Sequence, residues 1–99
     1  MTADALDHTG EELYRSATIS NRRGLHARAA AKFVKLAATF DAQVLVSHRG
    51  TEVSGLSIMG LMMLAAAPGC SIDLKTRGNQ AAEALEALFD LVDRKFDED

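Results

Sequence analysis

The chain reads as an α+β fold, a two-layer open sandwich in the order β-α-β-β-α-β-α. Two observations predict it. Short stretches alternate apolar and polar residues, most clearly Ile72, Leu74 and Thr76 against Asp73, Lys75 and Arg77, as strands with one buried and one wet face do. Longer stretches repeat apolar residues at helical spacing, and such helices can cover the buried face of the sheet.

Each element follows from its residues. Leu13 to Ser20 carries Leu13, Ala17 and Ile19 at alternate positions and is a first strand, which the polar residues and glycine of Asn21–Gly24 break. From Ala27 to about Phe40, the residues Ala30, Phe33, Val34, Ala37 and Phe40 recur with helical period. Gln43–His48 puts Val44 and Val46 on one face, Arg49-Gly50 turns, and Thr51–Ser54 returns. Ser57 opens a second helix to about Leu64, closed by Ala65–Gly69 with its Pro68-Gly69 turn. Ser71–Arg77 is the fourth strand and Gly78-Asn79 a turn. A last helix, about Gln80 to Phe96, aligns Ala81, Leu85, Leu88, Phe89, Val92 and Phe96 on one stripe. Residues 1–12 read as a polar extension and residues 13–99 as the folded domain.

Composition narrows the function. Ninety-nine residues with 47% apolar and 25% charged content make one folded core, too small for a lidded multi-residue active site. The net charge of −3 argues against nucleic acid as a partner. Arg22, Arg23, Arg28, Lys32 and Lys35 nevertheless gather in one segment, while the acids lie toward the two ends; a basic face on an acidic chain suits an acidic ligand or partner. Cys70 is alone, so no intrachain disulfide forms. The start lacks a basic, apolar leader and no stretch reaches transmembrane length, so no membrane role and a cytoplasmic location are expected. His8, His26 and His48 lack metal-ligand spacing, and neither a metal nor a cofactor is expected. His8 and His48 read as surface residues.

The segment Asn21–Ala31, NRRGLHARAAA, sets His26 where a loop becomes a helix. The free N–H groups and positive dipole end of a first helical turn favour an anion there. An imidazole beside them can accept a phosphoryl group on nitrogen, with Arg28 stabilising the arriving charge. A serine–histidine hydrolase lacks its nucleophile elbow and third acid. A small-molecule sensor domain of similar element order would need no imidazole at this junction.

Ser57-Ile58-Met59-Gly60-Leu61-Met62-Met63-Leu64 is apolar nearly all round. With Leu61, Leu64 and Ala65 toward the core, Ile58, Met59 and Met62 fall together on the other side, as a Met-bearing docking surface would. Ser57 suits a helix N-cap.

Gly24-Leu25-His26-Ala27-Arg28, then Phe33-Val34-Lys35, then Ser57-Ile58-Met59-Gly60 resemble, in order and spacing, the HPr family of histidine-containing phosphocarriers of the bacterial phosphoenolpyruvate-dependent phosphotransferase system. The resemblance covers about Leu13 to Phe96. It implies an open-faced β-sandwich, a four-stranded antiparallel sheet covered on one face by three helices. It implies a monomeric, non-enzymatic carrier whose His26 is phosphorylated on Nδ1 by Enzyme I and passes the group to IIA domains. Arg28 would neighbour the phosphoryl group, and Lys35, Ile58, Met59 and Met62 would belong to the partner-docking surface. Ser57 would match the serine modified by HPr kinase/phosphorylase in bacteria that have one. Two alternatives stand beside sugar uptake: the regulatory nitrogen branch, and an interaction module that controls a regulatory enzyme. Ala29 departs from the family, which has proline after the arginine; alanine suits a first turn too, so a slightly softer site is expected.

Overall fold

The computed structural model describes residues 11–98. Strands β1 (Glu12–Thr18), β2 (Gln43–His48), β3 (Thr51–Ser54) and β4 (Ser71–Arg77) form one sheet in the order β1-β4-β2-β3, every pair antiparallel. Helices α1 (Ala27–Ala37), α2 (Ile58–Met63) and α3 (Ala81–Asp93) cover one face. The α+β open-faced sandwich expected from the alternation is the fold observed. Residues 1–10 of the expected extension, His8 included, lie outside the described residues, and Glu12 already belongs to β1.

Register places the buried side chains opposite one another. Ala17 pairs with Ile72, Val46 with Leu74, and Val44 with Thr76. All six are buried beneath the helices, against Phe33 from α1, Leu61 from α2 and Leu88 and Val92 from α3. Thr76, the polar member, donates its hydroxyl to the Ala81 carbonyl at 2.8 Å, so its burial leaves no orphaned group. Arg15 interrupts the alternation of β1 on the helix-facing side. Its guanidinium lies over the Phe89 ring, 3.6 Å from the centroid, where edge-strand position lets the charge reach solvent. The opposite face is wet, with Lys75 and Glu52 paired at 3.0 Å.

Two helix ends differ from the sequence expectation. Helix α1 stops at Ala37 because the Thr39 and Phe40 N–H groups turn to the Leu36 and Ala37 carbonyls, the tighter bonding of a 3₁₀ turn. The Thr39 hydroxyl also donates to the Leu36 carbonyl at 2.7 Å, closing the end. Helix α3 stops at Asp93, and Lys95, Phe96 and Asp97 follow in the left-handed region with φ of 61°, 53° and 61°. Phe96 is buried as its apolar character demands, but from this reversed turn and not from the helical stripe. The reversal folds the tail back over the start of α1.

His48 is half-buried on β2, its Nδ1 3.0 Å from the Ser71 carbonyl. Among the described residues, no helix is long and apolar enough to cross a membrane, and no cluster of His, Cys, Asp or Glu could hold a metal ion.

Candidate functional site

His26 is the N-cap of α1, with extended backbone and its carbonyl accepting the Ala30 N–H at 2.8 Å. The preceding loop is braced on both sides. Gly24 has φ of +68°, and a Cβ there would lie 2.7 Å from the Ala66 carbonyl oxygen, so only glycine fits. Leu25 is tied to that same carbonyl by its N–H at 3.0 Å. Asn21 is fully buried, and its Nδ2 donates to the Gly24 carbonyl at 2.7 Å and to Glu98 Oε1 at 3.0 Å. Both partners are acceptors, which fixes the orientation of the amide.

The imidazole bonds through both nitrogens. Nδ1 accepts the Arg28 backbone N–H at 3.2 Å, and Nε2 lies 2.7 Å from Glu98 Oε2. A nitrogen that accepts cannot carry the proton, so the neutral ring holds its proton on Nε2 and donates it to the carboxylate. Nδ1 then keeps its lone pair at the mouth of the helix. The His26 side chain is only 17% exposed, because Glu98 covers it.

Burial alone would raise the Glu98 carboxyl, but hydrogen bonds from Asn21 and His26, and the charges of His26 and Lys32, outweigh it. The net result is a carboxyl held below its ordinary range. A second tie secures the tail: Lys32 Nζ donates to the Phe96 carbonyl at 2.8 Å.

The remaining residues singled out from sequence divide into two neighbourhoods. Arg28 lines a cleft with Arg22, Arg23, Lys32, Asp97 and Glu98, so the basic segment does converge beside His26. An anion entering this cleft meets four cationic side chains and the N-terminus of α1. Lys35 lies further along α1, in a groove with Lys32, Leu91 and Arg94. Ser57, Ile58, Met59 and Met62 belong to α2, which packs on α1. Ser57 is the N-cap, accepting the Gly60 N–H at 2.9 Å. Leu61 and Leu64 are buried, while Ile58, Met59 and Met62 are exposed as expected. Ala65, expected toward the core, is exposed with φ of 53°, because α2 has already ended at Met63. Leu56 and Met63 enlarge the exposed apolar surface and were not singled out from sequence.

Asn21 and Glu98 were also not singled out. Asn21 reads as one more polar loop residue, and Glu98 as part of a solvated acidic end. Phe96 was the available signal, since an apolar residue that near a charged tail has to return to the core and carries its neighbours with it. Ala29 is fully buried at the third position of α1, ahead of the first i to i−4 bond given by Ala30.

Known proteins are similar to this chain in sequence and fold. A family model described as the PTS HPr component phosphorylation site matches residues 13–94. Phosphocarrier protein HPr of Neisseria meningitidis is 50% identical over 86 residues, covering 87% of this chain and 97% of the relative. Phosphocarrier protein NPr of Shewanella violacea is 45% identical over 87 residues, covering 88% and 96%. Among solved structures, HPr of Thermoanaerobacter tengcongensis superposes with a TM-score of 0.84 at 39% identity, covering 88% of this chain and 98% of that one. With that match spanning the loop, the helix mouth and the whole sheet, the chain belongs to the HPr family of phosphocarrier proteins of the phosphotransferase system.

Proposed function

We propose that His26 Nδ1 accepts a phosphoryl group from phosphorylated Enzyme I and hands it to IIA domains, the chain acting as a stoichiometric carrier and not as an enzyme. The observation that carries this reading is the placement of an unprotonated Nδ1 at the N-terminus of α1, bonded only through the Arg28 N–H. When phosphorus takes the Nδ1 lone pair, that N–H is released and can donate to a phosphoryl oxygen. Position and charge stabilisation are the main requirements of phosphoryl transfer, and the helix N-terminus and the Arg28 side chain supply both. The cleft is open on one side, which suits a group that must leave again for the next protein.

In this reading Lys35, Ile58, Met59 and Met62 form the docking surface, and Ser57 is the regulatory phosphorylation site. A phosphate there would keep the favourable position of an anion at a helix start, yet bring charge beside the exposed Ile58 and Met59. Relatives named phosphocarrier protein HPr and phosphocarrier protein NPr are both similar to this chain over most of its length, which supports the carrier step. The test is incubation with phosphoenolpyruvate, Mg²⁺ and Enzyme I followed by intact mass. One acid-labile, alkali-stable phosphoryl group is expected, absent in His26→Ala. Persistent labelling of that variant would move the acceptor elsewhere.

A further inference from the structure

The cleft beside His26 carries more positive charge than one phosphoryl group requires. Arg22, Arg23, Arg28 and Lys32 line it, four of the chain's eleven lysines and arginines, against Asp97 and Glu98. Both acids are already engaged: Glu98 by Asn21 and His26, and Asp97 by Arg94 Nε at 2.8 Å. Lys32 Nζ is turned to the Phe96 carbonyl. Among the described residues, the guanidinium groups of Arg22, Arg23 and Arg28 enter no ion pair. Like charges gathered without counter-charges repel one another, and a bound anion relieves that repulsion.

The two arginines that precede the helix sit in a fixed turn. The Gly24 N–H donates to the Asn21 carbonyl at 3.2 Å, which makes Arg22 and Arg23 the central residues of a β-turn. One end of the turn is the buried Asn21, and the other is Gly24, pressed against the Ala66 carbonyl with its φ of +68°. Both arginines are exposed. Their backbone freedom is therefore lost in folding and not on binding, which favours a ligand that meets them.

We propose that this cleft binds a small oligophosphate, the short chain of linked phosphate groups that a nucleoside triphosphate or inorganic tripolyphosphate carries, and that the bound chain holds His26 unavailable to Enzyme I. The inference rests on the carrier reading of His26 and adds a ligand that regulates it. One phosphate meets Arg28 at the helix mouth and the next meets Arg22 and Arg23, since each guanidinium can grip phosphate oxygens through two parallel N–H groups. Four cations against two carboxylates leave two positive charges in the lining, so a weakly charged anion gains little there. A lone phosphate leaves one group of arginines unanswered. The overall charge of −3 sets the opposite limit, because a long polyanion is repelled by the molecule as a whole. No covalent bond is made or broken; the ligand acts by occupying the place a phosphoryl group takes.

The experiment uses the full chain. Tripolyphosphate, ATP and inorganic phosphate are titrated separately in low salt, with binding read by calorimetry and by amide shifts in nitrogen-15 NMR. Tripolyphosphate and ATP should each bind at least about tenfold more tightly than inorganic phosphate, the worth of one further charged hydrogen-bonded group. Equal affinity for the two assigns recognition to the phosphate chain, and tighter binding of ATP assigns part of it to the nucleoside; either supports the site. Shifts should centre on Arg22, Arg23 and Arg28. Arg22→Ala combined with Arg23→Ala should weaken tripolyphosphate binding by at least about tenfold, and Arg22→Lys with Arg23→Lys should recover part of the loss. A melting curve checks that each variant is folded. With Mg²⁺ in excess, tripolyphosphate should slow Enzyme I-dependent labelling of the wild type, and slow it less in the double alanine variant. Inorganic phosphate binding as tightly as tripolyphosphate overturns the proposal, as do an affinity unchanged in the alanine variant and shifts centred elsewhere. Labelling slowed equally in both carriers places the effect on Enzyme I and overturns the regulatory role. A carrier never labelled at His26 without ligand would instead remove the carrier reading, so the two failures are distinguishable.

Discussion

Met59 and Leu61 sit two positions apart on α2, and they separate docking from stability. Leu61 is 0% exposed and packs in the core against α1, while Met59 is 70% exposed. Leu61→Ala removes a fully buried isobutyl group from a well-packed site, a change that costs about 3–5 kcal/mol. A domain of this size loses about 4–8 °C in melting temperature per kcal/mol, so a fall of roughly 12–40 °C is expected. With a total stability of about 5–15 kcal/mol, the variant remains folded at room temperature or close to its limit. Met59→Ala removes a side chain already in water and should stay within about 0.5 kcal/mol of the wild type. If Enzyme I buries that side chain, truncation forfeits about 1.5 kcal/mol of association, a factor of roughly ten in the carrier's apparent affinity. The assay pairs a melting curve with Enzyme I-dependent transfer measured against carrier concentration. A Met59→Ala variant that melts as early as Leu61→Ala would make Met59 a core residue; one that melts normally and docks with wild-type affinity would remove it from the interface.

Arg28→Ala should slow transfer by about 1.5–3 kcal/mol, the worth of a hydrogen bond to a charged group, with lysine restoring only part; a wild-type rate would take Arg28 out of the site. Ser57→Ala should cost about 1 kcal/mol by losing the bond to the Gly60 N–H. Ser57→Asp can still cap α2, so its melting temperature should hold or rise while Enzyme I association weakens, and a large drop in stability would contradict the capping role. Glu98 adds a pH dependence. Its folded-state carboxyl lies below the ordinary value of 4.5, so its stabilisation is complete above that value and disappears as pH falls through the depressed folded value. Melting curves of wild type and Glu98→Gln should therefore converge in acid, and a gap that widens as pH falls would refute the sign.

The two-layer sandwich was legible because alternation and helical period are local patterns, each imposed by one face meeting a core. Gln43–His48, Thr51–Ser54 and Ser71–Arg77 are strands at the bounds their residues predict. Burial of Leu61 and Leu64, with Met59 left in water, likewise followed from helical geometry alone. Helix ends were less legible: Thr39 and the Lys95–Asp97 reversal depend on which carbonyls and which core surface are in reach, and neither is written in a periodic pattern.

By itself the sequence determined the layers, the loop-to-helix junction at His26, and the basic residues beside it, since all of these reside in contiguous segments. Tertiary structure alone decided what covers the imidazole. Glu98 is 72 residues from His26 and bonds it at 2.7 Å, while Asn21, 77 residues away, holds the other carboxylate oxygen. A carboxylate in an acidic tail has no periodicity to reveal it. Its position follows from Phe96 seeking the core and Lys32 holding the reversed turn, and only the folded chain brings those forces to one place.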